Sequence, residues 1–127
     1  MSKAVWALQI IVALAFLGVG TMKLITPREQ LIRNGMGWAE DFSSTQVKLI
    51  AAAEVAGAVG LIVPAATGIA PILTPIAAAG LALLMAGAVA THLQRGEPPF
   101  PPLVLGVLAA TAAVLTLRRV RRRTRTV

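Results

Sequence analysis

Three ionisable side chains stand inside otherwise apolar stretches: Lys23, Glu54 and His92. A carboxylate, an ammonium and an imidazole near one another can grip a polar head group, pass a proton and steady developing negative charge. Each costs roughly 2.5–3.5 kcal/mol to place in a bilayer on insertion scales. Each therefore calls for a partner or a task. Other chemistries are closed off by composition. Cysteine is absent, which removes disulfides, thiolate catalysis, Cys-ligated zinc and iron–sulfur clusters. His92 is the only histidine, so a multi-histidine metal site would require several copies of the chain.

The elements that position these groups are four apolar segments. Of 127 residues, 57% are apolar and 13% charged, against about 25% charged in a soluble domain. The first segment runs from Ala4 to about Ile25 and ends at Thr26-Pro27. The second runs from about Val47 to Val63, where Pro64 is expected to stop it. The third runs from about Pro71 to Leu93. The fourth runs from about Leu103 to Leu117, between the run Pro98-Pro99-Phe100-Pro101-Pro102 and an arginine-rich end. A bilayer core of about 30 Å needs about 20 helical residues, and four such segments predict an all-α membrane protein built as a four-helix bundle. Lys3 before the first segment also fits a signal peptide. The segment exceeds a usual signal core and lacks a clear cleavage site, so a retained span is expected.

Between the first two segments lies the only sizeable polar loop, residues 26–46. Arg28 to Arg33 predict a short interfacial helix there, and Trp38 fits headgroup level. Small residues at four-residue steps predict close helix contacts: Ala52, Ala56 and Gly60; Ala53 and Gly57; Ala78, Ala82, Ala86 and Ala90; Gly106 and Ala110. They predict a tight bundle with little empty volume among the middle helices. Gln9, Thr21, Thr91 and Thr111 are expected to bond between helices. Met22, Met36 and Met85 are read as packing.

Net charge is +7, yet Arg118, Arg119, Arg121, Arg122, Arg123 and Arg125 supply six of those charges. A basic tail behind an apolar helix points to membrane topology and anionic lipid rather than nucleic acid. Residues 1–117 form the membrane domain in this reading, and 118–127 form a basic tail. Lys3 and the tail outweigh Arg28, Arg33 and Arg95 on the opposite loops, which places both termini in the cytoplasm. All three ionisable side chains then converge on the outer leaflet, with Glu54 about 11 Å deep along its helix. A structural ion pair and a functional pocket both account for them. His92 could serve as an acid–base group; an axial haem ligand is the weaker reading.

The stretch Phe16-Leu17-Gly18-Val19-Gly20-Thr21-Met22-Lys23-Leu24 resembles the first-helix motif of the DoxX and DoxX-like family. Glu54-Val55-Ala56-Gly57-Ala58-Val59-Gly60-Leu61 resembles its glutamate-then-glycine-leucine pattern. The run from Thr74 to Leu81, continued by Ala88 to His92, resembles its third helix. The resemblance extends to about Leu117 and leaves out the arginine tail. It implies a four-helix membrane domain, with Lys23, Glu54 and His92 on motif positions. It also implies company: members resemble a quinone-reducing thiosulfate oxidoreductase subunit, redox-stress membrane complexes and receptor-assembly chaperones.

Three functions follow as expectations. The first is a redox-associated membrane subunit binding a quinone or other lipophilic molecule among Lys23, Glu54 and His92. The second is a non-catalytic accessory or assembly protein. The third is a cofactor-independent isomerase or hydrolase of a lipophilic substrate. Membrane lipids are the expected partners, with a homo-oligomer or other membrane subunits also open. The expected location is a cell membrane of the bacterial plasma type.

Overall fold

The computed structural model describes residues 2–125, and every regular element in them is helical. Four long helices carry the fold: α1 (Lys3–Ile25), α3 (Ser44–Thr67), α4 (Leu73–Gln94) and α5 (Phe100–Arg125), with a short α2 (Arg28–Arg33) between the first two. All four are long and apolar enough to cross a bilayer. The chain is a multi-pass membrane protein. The long helices form a ring in which α1 packs on α3, α3 on α4 and α4 on α5, while α5 closes more lightly on α1.

Helix ends explain where the sequence-based limits shift. Helix α3 begins three residues early because Ser43 and Gln46 form a reciprocal capping box, Ser43 Oγ accepting from the Gln46 amide and Gln46 Oε1 from the Ser43 amide. Pro64 does not stop α3. The helix runs on to Thr67 and ends at Gly68, which adopts the left-handed conformation at φ 72°.

A proline inside a helix leaves the carbonyl four residues earlier without its amide. That carbonyl is Gly60 O, and the Thr74 hydroxyl of α4 donates to it at 3.0 Å. The neighbouring Leu61 carbonyl accepts from Gln9 Nε2 of α1 at 2.8 Å. Neighbouring helices thus satisfy the loosened backbone, as hydrocarbon surroundings require.

Helix α5 absorbs Pro101 and Pro102 into its first turn, where missing amides cost little. It then continues through the arginines to Arg125. The basic stretch, through the last described residue, is helical and continuous with the fourth span. At 26 residues, α5 is about 39 Å long and outruns a hydrocarbon core of about 30 Å.

In lipid, helices associate through close packing of small residues. Gly57 lies against Leu81, and Gly60 against Ala77, where an added Cβ would stand only 2.7 Å from the Ala77 Cβ. Gly20 meets the α3 backbone at Ala51, and Gly106 meets Met85. Ala78 and Ala82 also turn inward, whereas Ala52, Ala53, Ala56, Ala86, Ala90 and Ala110 face outward. Val12, Phe16, Leu61, Leu81, Ala109 and Ala112 fill the core in the half of the bundle towards the arginines.

Gln9 bonds between helices as expected. Thr91 and Thr111 instead donate to carbonyls of their own helices, Gly87 O and Val107 O. Both sit on half-buried or exposed faces, so self-bonding keeps their hydroxyls satisfied without a partner helix.

Candidate functional site

At the other end the bundle is not tightly filled. A cavity of about 610 Å³ opens between α1, α3, α4 and α5, beneath the segment that links α1 to α3. The close α3–α4 packing at Gly57 and Gly60 does not extend to this end, which that segment closes instead.

The segment is a folded cap. Leu31, Ala39 and Val47 are buried together, with Met36, Trp38 and Phe42 packed around them. Arg28 organises it. Its Nε donates to the carbonyls of Ala39 at 3.1 Å and Phe42 at 2.7 Å, and its Nη2 to Glu40 O at 3.1 Å. Gly35 makes the turn after α2 at φ 104°, a conformation that favours glycine. Met36, Trp38 and Phe42 present their side chains to the cavity. The sequence placed Trp38 at headgroup level but gave no sign that it roofs a cavity.

Lys23, Glu54 and His92 all line this one cavity. Lys23 Nζ donates to Glu54 Oε1 at 2.8 Å, with both residues buried. The ammonium also lies 5.1 Å from the centre of the Trp38 ring, within cation–π range. Lys23 occupies the last turn of α1, where a cation faces the negative end of the helix dipole. Lys48 Nζ caps the same end by donating to the carbonyls of Lys23 and Thr26. Glu54 sits mid-face on α3 opposite Gly20, whose missing side chain lets the two helices approach.

His92 reaches the cavity from the last turn of α4 and stands apart from the ion pair's hydrogen bonds. Its Nδ1 is buried, lies 3.4 Å from Glu97 Oε1 and makes no hydrogen bond among the described residues. Glu97 also accepts from Arg95 Nε at 3.2 Å, and Arg95 Nη1 donates to Asp41 Oδ1 at 2.9 Å. Arg95 therefore joins the α4–α5 turn to the cap. Desolvation works to lower the Arg95 guanidinium. The Asp41 hydrogen bond and the charges of Asp41, Glu97 and Glu40 outweigh it and hold the group above its ordinary value.

The rest of the lining is apolar, from Val19, Ile50, Leu84, Met85, Ala88 and Leu105. The site is thus an oily chamber with one polar corner. An ammonium with spare donors and the imidazole of His92 are the polar groups that could meet oxygen atoms of a bound head group. No group of three or more histidine, aspartate or glutamate side chains able to hold a metal ion occurs among the described residues.

Neither the curated proteins nor the solved structures yield a match. A family model described as the DoxX-like family matches residues 7–114, reaching into all four long helices and including all three candidate side chains while stopping short of the arginines from Arg118 onward. The chain belongs to the DoxX-like family.

Proposed function

We propose that this protein is a redox-associated membrane subunit that holds a quinone, or a lipophilic molecule with a similar carbonyl or phenol head, in the cavity beneath the cap. The observation that carries this reading is that the buried Lys23–Glu54 pair and His92 line one otherwise apolar chamber. An apolar ring fits among Val19, Leu84, Met85 and Leu105. Lys23 has three donors and spends one on Glu54, which leaves it able to hold a head-group oxygen. The imidazole of His92, whose Nδ1 lies 3.4 Å from Glu97 Oε1, holds or moves a proton at a second oxygen. Glu54 holds the ammonium in place. A bound quinone would supply two-electron redox chemistry, with a partner subunit as the electron donor.

The lysine and arginine distribution supports both termini in the cytoplasm. On that orientation the chamber lies in the outer leaflet of a bacterial plasma membrane.

Trp38 lines the cavity and serves as the reporter. A short-chain quinone titrated into the purified protein is expected to quench Trp38 fluorescence saturably, and W38F should remove that component. His92→Ala and Glu54→Gln should each weaken the titration about tenfold, the loss expected for roughly one charge-assisted hydrogen bond. Mass spectrometry of small molecules retained through mild purification is the parallel readout. Quenching that does not saturate, together with a preparation free of any retained lipophilic molecule, would overturn the reading and favour an accessory role.

A further inference from the structure

The charged residues are distributed very unevenly along the bundle. All five acids, Glu29, Glu40, Asp41, Glu54 and Glu97, belong to the half that holds the cap and the cavity. The opposite end carries Lys3 and six arginines and no acid at all.

Those arginines do not form a uniform brush. At 100° per residue, Arg118, Arg121, Arg122 and Arg125 share an arc of about 100° on α5, and all four are exposed. Arg119 turns away from that arc and is only half exposed. Its Nη1 donates to Gln9 Oε1 at 2.8 Å, and its guanidinium lies 5.0 Å from the centre of the Trp6 ring. Gln9 is itself fully buried and fixed through its other end to Leu61 O. Arg119 is thus a guanidinium held in place by two residues of α1, and four of its five N–H donors remain for another acceptor.

A second feature lies beside it. A wholly apolar groove of about 340 Å³ runs between α1 and α3, lined by Ile10, Leu14 and Leu17 on one side and Val59, Ile62 and Val63 on the other. On α1 the positions Lys3, Trp6, Ile10, Leu14 and Leu17 follow at three- and four-residue steps and so form one face. The groove therefore leads, one turn beyond Ile10, to Trp6 with its stacked Arg119, and one turn further to Lys3. Lys3 is exposed and has no hydrogen bond or ion pair among the described residues.

We propose that this face is a site for one anionic phospholipid, with an acyl chain in the α1–α3 groove and the phosphate between Arg119 and Lys3. The guanidinium fork matches phosphate oxygens in two-point geometry. Indoles such as that of Trp6 favour the level where glycerol and ester groups meet the hydrocarbon. The absence of any acid at this end favours a lipid of net negative charge, such as phosphatidylglycerol, over a zwitterionic one. This site is separate from the cavity at the other end of the bundle and does not depend on what that cavity binds.

The test reconstitutes the full chain into phosphatidylcholine vesicles containing a minor fraction of either phosphatidylglycerol or phosphatidylcholine brominated near the glycerol end of one chain. Bromine quenches nearby indoles, and the component of quenching absent in W6F reports Trp6. Quenching is expected at an about fivefold lower fraction of the brominated anionic lipid per cation engaged, from the attraction of one basic residue for an anionic lipid. Arg119→Gln and Lys3→Gln should each remove much of that preference. A chain with Arg118, Arg121, Arg122 and Arg125 all changed to Gln should retain it. Equal quenching by the two brominated lipids overturns the proposal. So does a preference that survives Arg119→Gln but vanishes in the fourfold variant, since that pattern belongs to diffuse attraction by the exposed arginines. Native mass spectrometry of the lipids retained by wild type and Arg119→Gln gives the same decision without fluorescence.

Discussion

The Thr74 hydroxyl donates to the Gly60 carbonyl, the acceptor that Pro64 leaves without an amide. One bond therefore repairs the break in α3 and joins α3 to α4. Thr74→Val should destabilise the bundle by about 0.6–1.7 kcal/mol, the range for interhelical side-chain hydrogen bonds in membranes. Pro64→Ala restores the amide, so Thr74→Val should cost less in that background. Thermal unfolding of the four variants in one detergent checks the coupling. Strict additivity would show that the two residues act independently.

The Lys23–Glu54 pair is buried on both sides. Removing one partner of such a pair typically costs about 3–5 kcal/mol, and replacing both by apolar residues costs far less. Lys23→Met should destabilise strongly, and Lys23→Met with Glu54→Leu should recover most of the loss. Stability is expected to recover in the double variant while quinone titration does not, which separates the pair's two roles.

Glycines divide into contact glycines and open ones. A Cβ at Gly60 would stand 2.7 Å from the Cβ of Ala77, an atom that cannot rotate away. Gly60→Ala should cost about 1–3 kcal/mol, and Ala77→Gly should relieve it. Gly80 has no heavy atom within 4 Å of the same position. Gly80→Ala should be neutral or slightly stabilising, by at most about 1 kcal/mol of helix propensity. Unfolding midpoints of the three variants decide this.

Arg95 is the cross-link between the α4–α5 turn and the cap, through Asp41 and Glu97. Arg95→Gln should loosen residues 34–43 without melting the bundle. Amide hydrogen exchange is the measurement, with faster exchange expected in the cap and none of it spreading to mid-α3. Unchanged cap exchange would mean that Arg28 alone holds the segment.

Ala88 lines the cavity and bears no polar group. Ala88→Trp should fill the chamber and abolish quenching of Trp38 by quinone while leaving Lys23, Glu54 and His92 intact. The indole added by this change is subtracted using the same substitution in the W38F background.

Much of this architecture was legible in the residues themselves. Runs of apolar residues near 20 long predict spans because the bilayer fixes that length, and the topology they impose brings Lys23 to Glu54. Pro64 was misleading. Proline ends a helix in water, whereas here Thr74 and Gln9 stand ready to satisfy the loosened carbonyls, and neither lies near Pro64 in sequence. The first turn of α3 was missed because Ser43 and Gln46 are polar, and polarity hid a capping box. The cavity could not be foreseen. Its roof is made by Met36, Trp38 and Phe42, and their placement follows from Arg28 reaching three carbonyls of the same loop.

Gln9 binds Leu61 O with one end and Arg119 with the other, and Arg119 lies 110 residues further along the chain. During synthesis α1 and α3 can pair early, and α4 and α5 can pair with each other later. The ring closes only when the last helix has been made. Until then the Gln9 oxygen faces lipid or waits for a substitute donor. The order of translation is thereby built into the bundle: Gln9 of the first helix is completed by Arg119 of the fourth, and a chain lacking Arg119 would close the α1–α5 seam on apolar contacts alone, with the Gln9 oxygen unbonded.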